Sequence, residues 1–365
     1  MSSSGNQLRP TATIVAAGNP DAVLPDAGVD AHGLVRDAVR EIASKLLAVD
    51  AAEYIRLRAV CTAWRISTAV LGWEPQFFPR DWLMLQQDAD AVAEAAADPA
   101  AHRRFVNVRT GATLRIRLPP SEEYGDLLAH AEGLLLFHCA RTDTVRVFNP
   151  LTTATAVLPG FSGATPVEEA LELTAAGVFA DGNAPARPTV VLVLVLPRTT
   201  VILCAKPGDD RWGTVDAGVI EAADGEAPPF QGGLSLQGRF YVPTRHGEVL
   251  RVELDPQPHL LYVARPPGGP CRCHCAVTSY LVPALDDDDA GEESDGMLLV
   301  RVSEGGIDVL GVHLGRGRYT RVPELGSRAI FLPGLTVRAD KFPSLAPMEL
   351  GTVHLNEDIE DYIIA

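Results

Sequence analysis

The sequence predicts an α+β multidomain chain: a small N-terminal helical unit followed by a large all-β domain. Three observations predict it. Apolar residues recur at helical spacing between Val35 and Trp64. From Arg103 onward the apolar residues instead alternate or come in runs of strand length. The 32 Gly and 28 Pro punctuate the chain often, which favours short strands over long helices. At 365 residues the chain has room for more than one core.

Taken in order, residues 1–30 are polar, Gly/Pro/Ala-rich and aperiodic, and read as a disordered arm. A helical unit follows over 31–72. Val35, Val39, Ile42 and Leu46 fall on one face of a first helix. Asp50 with Glu53 three residues later resembles a capping box, so a second helix is expected there. Its stripe is Tyr54, Leu57, Cys61 and Trp64. Ile66 to Leu71 fits the end of a third helix. Two helices joined so tightly form a helical hairpin, too small to be very stable alone, so it is expected to pack against a third helix, a partner, or both. Residues 73–102 read as a linker, with a short Ala-rich helix over 88–97 ended by Pro99.

The all-β domain is expected over 103–365. Leu114 to Leu118 alternates strictly, and short apolar runs follow, among them Leu134–Phe137, Val145–Phe148 and Val190–Leu196. Val201–Cys204 completes a hairpin with the last of these. Further runs extend through Arg239–Val242, Val249–Leu254, Leu260–Val263, Ala276–Val282, Met297–Val302, Ile307–Leu314, Tyr319–Val322 and Ala329–Leu332 to Val353–Leu355 and Tyr362–Ile364. Strand–helix alternation is missing, which argues against a parallel α/β sheet. One open sheet of this length would curl or expose its edges, and radial repetition avoids that. A propeller-like domain is therefore predicted, although no clean repeat period reveals its number of blades.

Composition narrows the function. The net charge of −16 argues against a nucleic-acid partner, whose phosphates demand a basic face. Asp286 to Asp289, Glu292, Glu293 and Asp295 form one acidic run that reads as a solvated loop. No apolar segment is long enough to span a membrane, Val190–Leu196 being only a strand's length. Residues 1–20 lack the basic start and long apolar centre of an export signal, and a lone Arg9 is thin support for an organellar leader. The expected location is the nucleus or cytoplasm, with the six cysteines reduced.

Little reaction chemistry is visible. Cys271, Cys273 and Cys275 would share one face of a strand, but a closed zinc site needs a second Cys pair and none is evident. The cluster reads as a loop with incidental cysteines, and no metal or cofactor is expected. Gly-x-Ser-x-Gly, Walker and His-Glu-x-x-His patterns are absent. His246 beside Gly247 falls in an expected hairpin turn. No catalytic residue is assigned, and the chain is read as a non-enzyme.

Two stretches carry a resemblance. Leu34 to Leu46 is similar to the start of an F-box, and Arg58-Ala59-Val60-Cys61-Thr62-Ala63-Trp64-Arg65 resembles its ending, Arg-x-Val-Cys-x-x-Trp-Arg. Val35, Ala38 and Val39 depart from the usual Pro and Leu positions. Near the C-terminus, Arg321 to Gly334 and Lys341-Phe342-Pro343-Ser344-Leu345 resemble a plant F-box-associated domain of unknown function. Glu132 to Leu136 and Phe148-Asn149-Pro150-Leu151-Thr152 are similar to the same family. The resemblance implies a β-propeller-like domain fused to an F-box. It implies the substrate-recognition subunit of an SCF-type cullin–RING ubiquitin ligase, partnered by the adaptor and cullin scaffold through residues 34–65 and by an unknown protein target. The adaptor-binding residues it implies are Leu34, Val39, Ile42, Leu46, Leu57, Val60, Cys61, Trp64 and Arg65, with Leu57 and Trp64 as anchors.

Residues 34–65 hold six basic side chains (Arg36, Arg40, Lys45, Arg56, Arg58, Arg65) against four acidic ones (Asp37, Glu41, Asp50, Glu53), a local +2. Adaptors of such ligases are acidic, so the sign suits steering. The expectation is a helical stripe left uncovered for that partner. The alternative is a non-catalytic propeller interaction protein with a degenerate F-box.

Overall fold

The computed structural model describes residues 36–69, 72–84, 102–107, 110–161, 172–179, 188–196, 199–216, 230, 232–266, 277–284, 296–303, 305–325, 328–331, 335–338 and 353–354. The predicted fold class holds: N-terminal helices followed by a β-propeller. The N-terminal arm, the Ala-rich stretch, Cys271–Cys275, the acidic run, Phe342–Leu345 and Tyr362–Ile364 lie outside the described residues.

Helix α1 (Arg36–Val49) turns Val39 and Ala43 inward. Helix α2 (Ala51–Val60) begins at Asp50, whose carboxylate accepts from the Ala52 N–H at 2.9 Å. This is the cap the sequence predicts. Glu53 does not complete the box, because its carboxylate pairs with Arg56. The predicted stripe from Tyr54 to Trp64 is not one helix. Cys61 is extended (φ −158°, ψ 167°) and caps a separate helix α3 (Thr62–Ser67).

The break folds α3 back on its neighbours, where its terminal carbonyls find donors. Arg40 Nε donates to Ser67 O at 3.1 Å, the Tyr54 hydroxyl to Ala69 O at 2.9 Å, and Arg58 to Thr68 O at 3.2 Å. Helix ends leave such carbonyls unpaired unless side chains reach them.

A 3-10 turn (Pro75–Phe77) then leads into the sheets. The first contains β1 (Trp82–Met84), β2 (His102–Asn107) and β3 (Thr113–Arg117). After the short helix α4 (Ser121–Tyr124) come four four-stranded antiparallel meanders. They are β4–β7 (Asp126–Ala131, Leu134–Cys139, Thr144–Phe148, Thr155–Leu158), then β8–β11 (Glu172–Phe179, Thr189–Leu196, Thr199–Ala205, Gly213–Thr214). Next are β12–β15 (Leu234–Leu236, Arg239–Pro243, Val249–Glu253, His259–Ala264) and β16–β19 (Val277–Pro283, Met297–Ser303, Gly306–His313, Arg318–Arg321). Strands β20 (Arg328–Phe331), β21 (Leu335–Arg338) and β22 (Val353–His354) form the last sheet, in which β20 pairs with β22 in parallel.

Each sheet packs face to face on the next. Leu134, Leu136 and Val147 meet Val190 and Leu192; Val191 and Val193 meet Phe240 and Val242; Val249 and Tyr241 meet Leu281 and Leu299. Val282, Leu298 and Val300 then meet Ile330. Burying the faces of successive sheets against one another is what radial packing achieves. The tight Glu132-Gly133 turn between β4 and β5 needs its glycine: φ is +77° and a Cβ would lie 2.1 Å from Pro79 O.

The described part of the segment expected as a linker over 73–102 packs against the helices and the first sheet. Phe77, Phe78, Trp82 and Met84 are buried, and β1 pairs with β2. Asn149, fully buried, ties this segment to β6: its Nδ2 donates to Phe77 O at 3.0 Å while its Oδ1 accepts from Leu151 N at 3.0 Å. Helix α2 is itself a layer of the β core. Ala51, Ala52 and Ile55 pack with Trp82, Phe105, Leu114, Leu135 and Phe137.

Candidate protein-docking surface

The side chains implied by the F-box resemblance separate into two groups. Val39 and Leu57 are 1% and 6% exposed, sealed with Ala43, Tyr54 and Phe77. The expectation that the whole stripe stands uncovered is therefore corrected for these two. Phe77 supplies the cover, and so Leu57 is a core residue of the helical unit rather than a surface anchor. Leu46 and Trp64 are half-buried against the same cluster, and Cys61 is half-buried at the α2–α3 break. Ile42, Val60 and Arg65 face solvent. Leu34 lies outside the described residues.

Two apolar side chains that sequence reasoning left out of the surface also face solvent. Among the described residues, seven large hydrophobic side chains are exposed, and four sit in this short unit: Ile42, Val49, Val60 and Ile66. The other three, Val157, Leu261 and Ile307, are spread over three separate sheets. Ile42, Leu46 and Val49 fall at i, i+4 and i+7, so they form one stripe along α1 beside the buried Val39–Ala43 row. That spacing from Ile42 was the signal for Val49. Singly exposed apolar residues need no explanation, whereas a concentration of them marks an interaction surface.

The charges within the unit are arranged locally. Arg40 pairs with Asp37 at 3.1 Å and Lys45 with Glu41 at 3.0 Å, both exposed. Such pairs contribute little to stability. Arg58 lies over the Tyr54 ring, 5.8 Å from its centre, while it holds the end of α3. The unit is thus held from inside by Val39, Tyr54, Leu57 and Phe77, and its outside is apolar with a positive balance.

Asp50 fixes this surface relative to the propeller. Beyond capping α2, its Oδ1 accepts from Trp82 Nε1 at 2.9 Å and its Oδ2 from Asn107 Nδ2 at 3.0 Å. Both donors belong to residues at least 98% buried, on β1 and β2. The helices therefore sit at a fixed angle on the first sheet.

Among the described residues of the β domain, burial shifts several titratable groups. Burial drives the His130 imidazole down to about 4, so it is neutral near pH 7. Burial raises the Glu132 carboxyl against the opposing pull of Arg80, its ion-pair partner. Burial also pushes the Tyr319 hydroxyl well up, and it donates to Gly247 O at 2.7 Å. Among the described residues, no group of three His, Cys, Asp or Glu side chains is placed to hold a metal ion. Cys61, Cys139 and Cys204 are free thiols. Within the same residues, no helix is long and apolar enough to cross a membrane.

A family model described as KIB1-4 beta-propeller matches residues 105–346, well over half of the chain. The match starts inside β2, beyond α1–α3. Propellers of this kind are binding domains found in plant F-box proteins. No curated protein matches the chain. Among solved structures, the chain is similar to the dihydro-heme d1 dehydrogenase NirN in complex with DHE, at 16% identity and a TM-score of 0.31. The match covers 71% of this chain and 46% of that one, so the chain spans less than half of that protein. A likeness this slight carries no argument about fold or function.

Proposed function

We propose that this chain, which belongs to the KIB1-4 β-propeller family, is the substrate-recognition subunit of an SCF-type cullin–RING ubiquitin ligase. Its helices hold the adaptor, its propeller holds a protein target, and it acts without catalysis of its own in the nucleus or cytoplasm. The observation that carries the reading is the concentration of exposed Ile42, Val49, Val60 and Ile66 on a helical unit attached to a propeller of this family. Apolar side chains on adjacent turns are what a groove-binding helix presents. In functional terms the chain divides into an arm (1–30), the F-box helices (31–72), a connecting segment (73–102) and the target-holding propeller (103–365).

Of the residues implied by the resemblance, Ile42, Leu46, Val60, Trp64 and Arg65 are assigned to the contact. Val39 and Leu57 support it from beneath. Affinity purification of the full chain from plant extract tests the reading. Adaptor and cullin are expected with the wild type and not with an Ile42→Glu, Val60→Glu variant.

The burial of Val39 and Leu57 favours a second reading, a propeller interaction protein whose degenerate F-box no longer holds the adaptor. Recovery of a target without adaptor or cullin would select it.

A further inference from the structure

Helix α3 is only six residues long, and a helix that short is not stable by its own hydrogen bonds. The extended Cys61 also cuts it off from α2, so its position must be set from outside. Three side chains of the other two helices do this at its C-terminal end. From α2, Arg58 Nη1 reaches Arg65 O at 3.1 Å, Thr68 O at 3.2 Å, Thr68 Oγ1 at 2.6 Å and Ala69 O. The Tyr54 hydroxyl donates to the same Ala69 O at 2.9 Å, and from α1 Arg40 Nε donates to Ser67 O at 3.1 Å. Thr68 Oγ1 extends the grip by donating to Trp64 O at 3.0 Å.

Arg58 is the centre of this clamp. Its acceptors belong to three residues, Arg65, Thr68 and Ala69, whereas Arg40 and Tyr54 each meet one carbonyl of α3's end. A guanidinium beside C-terminal carbonyls is favoured by the helix dipole as well as by the hydrogen bonds. Arg58 is half-buried and lies over the Tyr54 ring, which is sealed with Val39, Leu57 and Phe77. The clamp is thus fixed to the core of the helical unit at one end and to α3 at the other. The side chains it orients face solvent: Arg65 and Ile66 on α3, and Val60 just before the break.

We infer that Arg58 is a positioning residue of the docking surface: it acts through α3, holding it so that Val60, Arg65 and Ile66 meet the adaptor as one preset face. The inference rests on the reading of the helices as adaptor-binding and adds to it a residue outside the contact itself. A preset face needs no ordering when the partner arrives. If α3 is docked in only about a tenth of the molecules, the apparent affinity falls about tenfold. Lysine cannot stand in for arginine here. Its ammonium keeps the charge, and with it the steering, but a single point cannot span acceptors on three residues.

The test compares the full chain with Arg58→Lys and with Gly177→Ala. A Cβ at Gly177 would run into the buried Phe240 ring, so this second variant loses stability in the seam between the second and third meanders rather than in the helical unit. Amide hydrogen exchange over residues 62–69 reads the clamp, and isothermal titration with purified adaptor reads the contact. Arg58→Lys is expected to exchange faster over 62–69 and to bind the adaptor about tenfold more weakly. Gly177→Ala is expected to lower the urea midpoint while its exchange over 62–69 and its adaptor affinity match the wild type. Unchanged exchange in Arg58→Lys overturns the clamp. Faster exchange with wild-type affinity overturns the positioning role, and so does equal weakening by Gly177→Ala, because any loss of stability would then serve. A wild type that gives no heat with the adaptor, while the exchange difference persists, overturns the ligase reading and this role with it, and the missing wild-type heat tells that failure apart from the others.

Discussion

Replacing Asp50 by alanine removes three hydrogen bonds at once. The cap to Ala52 N contributes about 1 kcal/mol. The indole N–H of Trp82 and the amide of Asn107 lose a carboxylate acceptor in a buried setting. Each buried donor left without a partner is a penalty of about 1–3 kcal/mol. The losses share one site and do not add fully, so about 3–5 kcal/mol is expected for Asp50→Ala. Asp50→Asn keeps one acceptor oxygen and trades the other for an amide that cannot accept from Asn107, so it should lose only about 1–2 kcal/mol. Urea unfolding followed by tryptophan fluorescence measures both. The wild type should unfold in one transition, because α2 shares its core with β1–β3 and β5. A loss below about 1 kcal/mol for Asp50→Ala, or equal losses for both variants, would refute the claim that this carboxylate joins helices to propeller.

Two further outcomes follow from the β domain. His130 has a folded-state pKa near 4 against 6.5 when unfolded, so between these values the unfolded chain binds more protons. Its contribution is complete above pH 6.5 and is lost as pH falls toward 4, by about 3 kcal/mol at most. Urea midpoints measured across that range should fall with pH in the wild type, and the slope should flatten in His130→Gln. Gly133→Ala places a side chain at φ +77° and drives a Cβ into Pro79 O. A loss of about 2 kcal/mol or more is expected from thermal melts, whereas an unchanged melting temperature would mean the turn relaxes freely.

Helix α1 and the Asp50 cap were legible because both depend on neighbours within one or two turns. The break at Cys61 was not legible. Leu57, Cys61 and Trp64 keep helical spacing straight through it, and periodicity registers spacing alone. Nor could the sequence reveal that Val39 and Leu57 are covered, since the cover is Phe77, twenty residues or more away along the chain. Strand β1 escaped notice because Trp82-Leu83-Met84 is short and buried throughout, with no alternation to mark it. Strand β8 was missed because Ala, Thr and Gly dilute its apolar run. The long strands β9, β10, β16, β17 and β18 were legible from their apolar runs and bounding turns.

The account centres on an apolar helical face that a second protein covers. Isothermal titration of the full chain with purified SCF adaptor measures this directly. The wild type is expected to bind, and Ile42→Glu, Val60→Glu to weaken binding by about a hundredfold while its urea midpoint stays unchanged, as for exposed contact residues. Equal affinity in the two proteins would contradict the account.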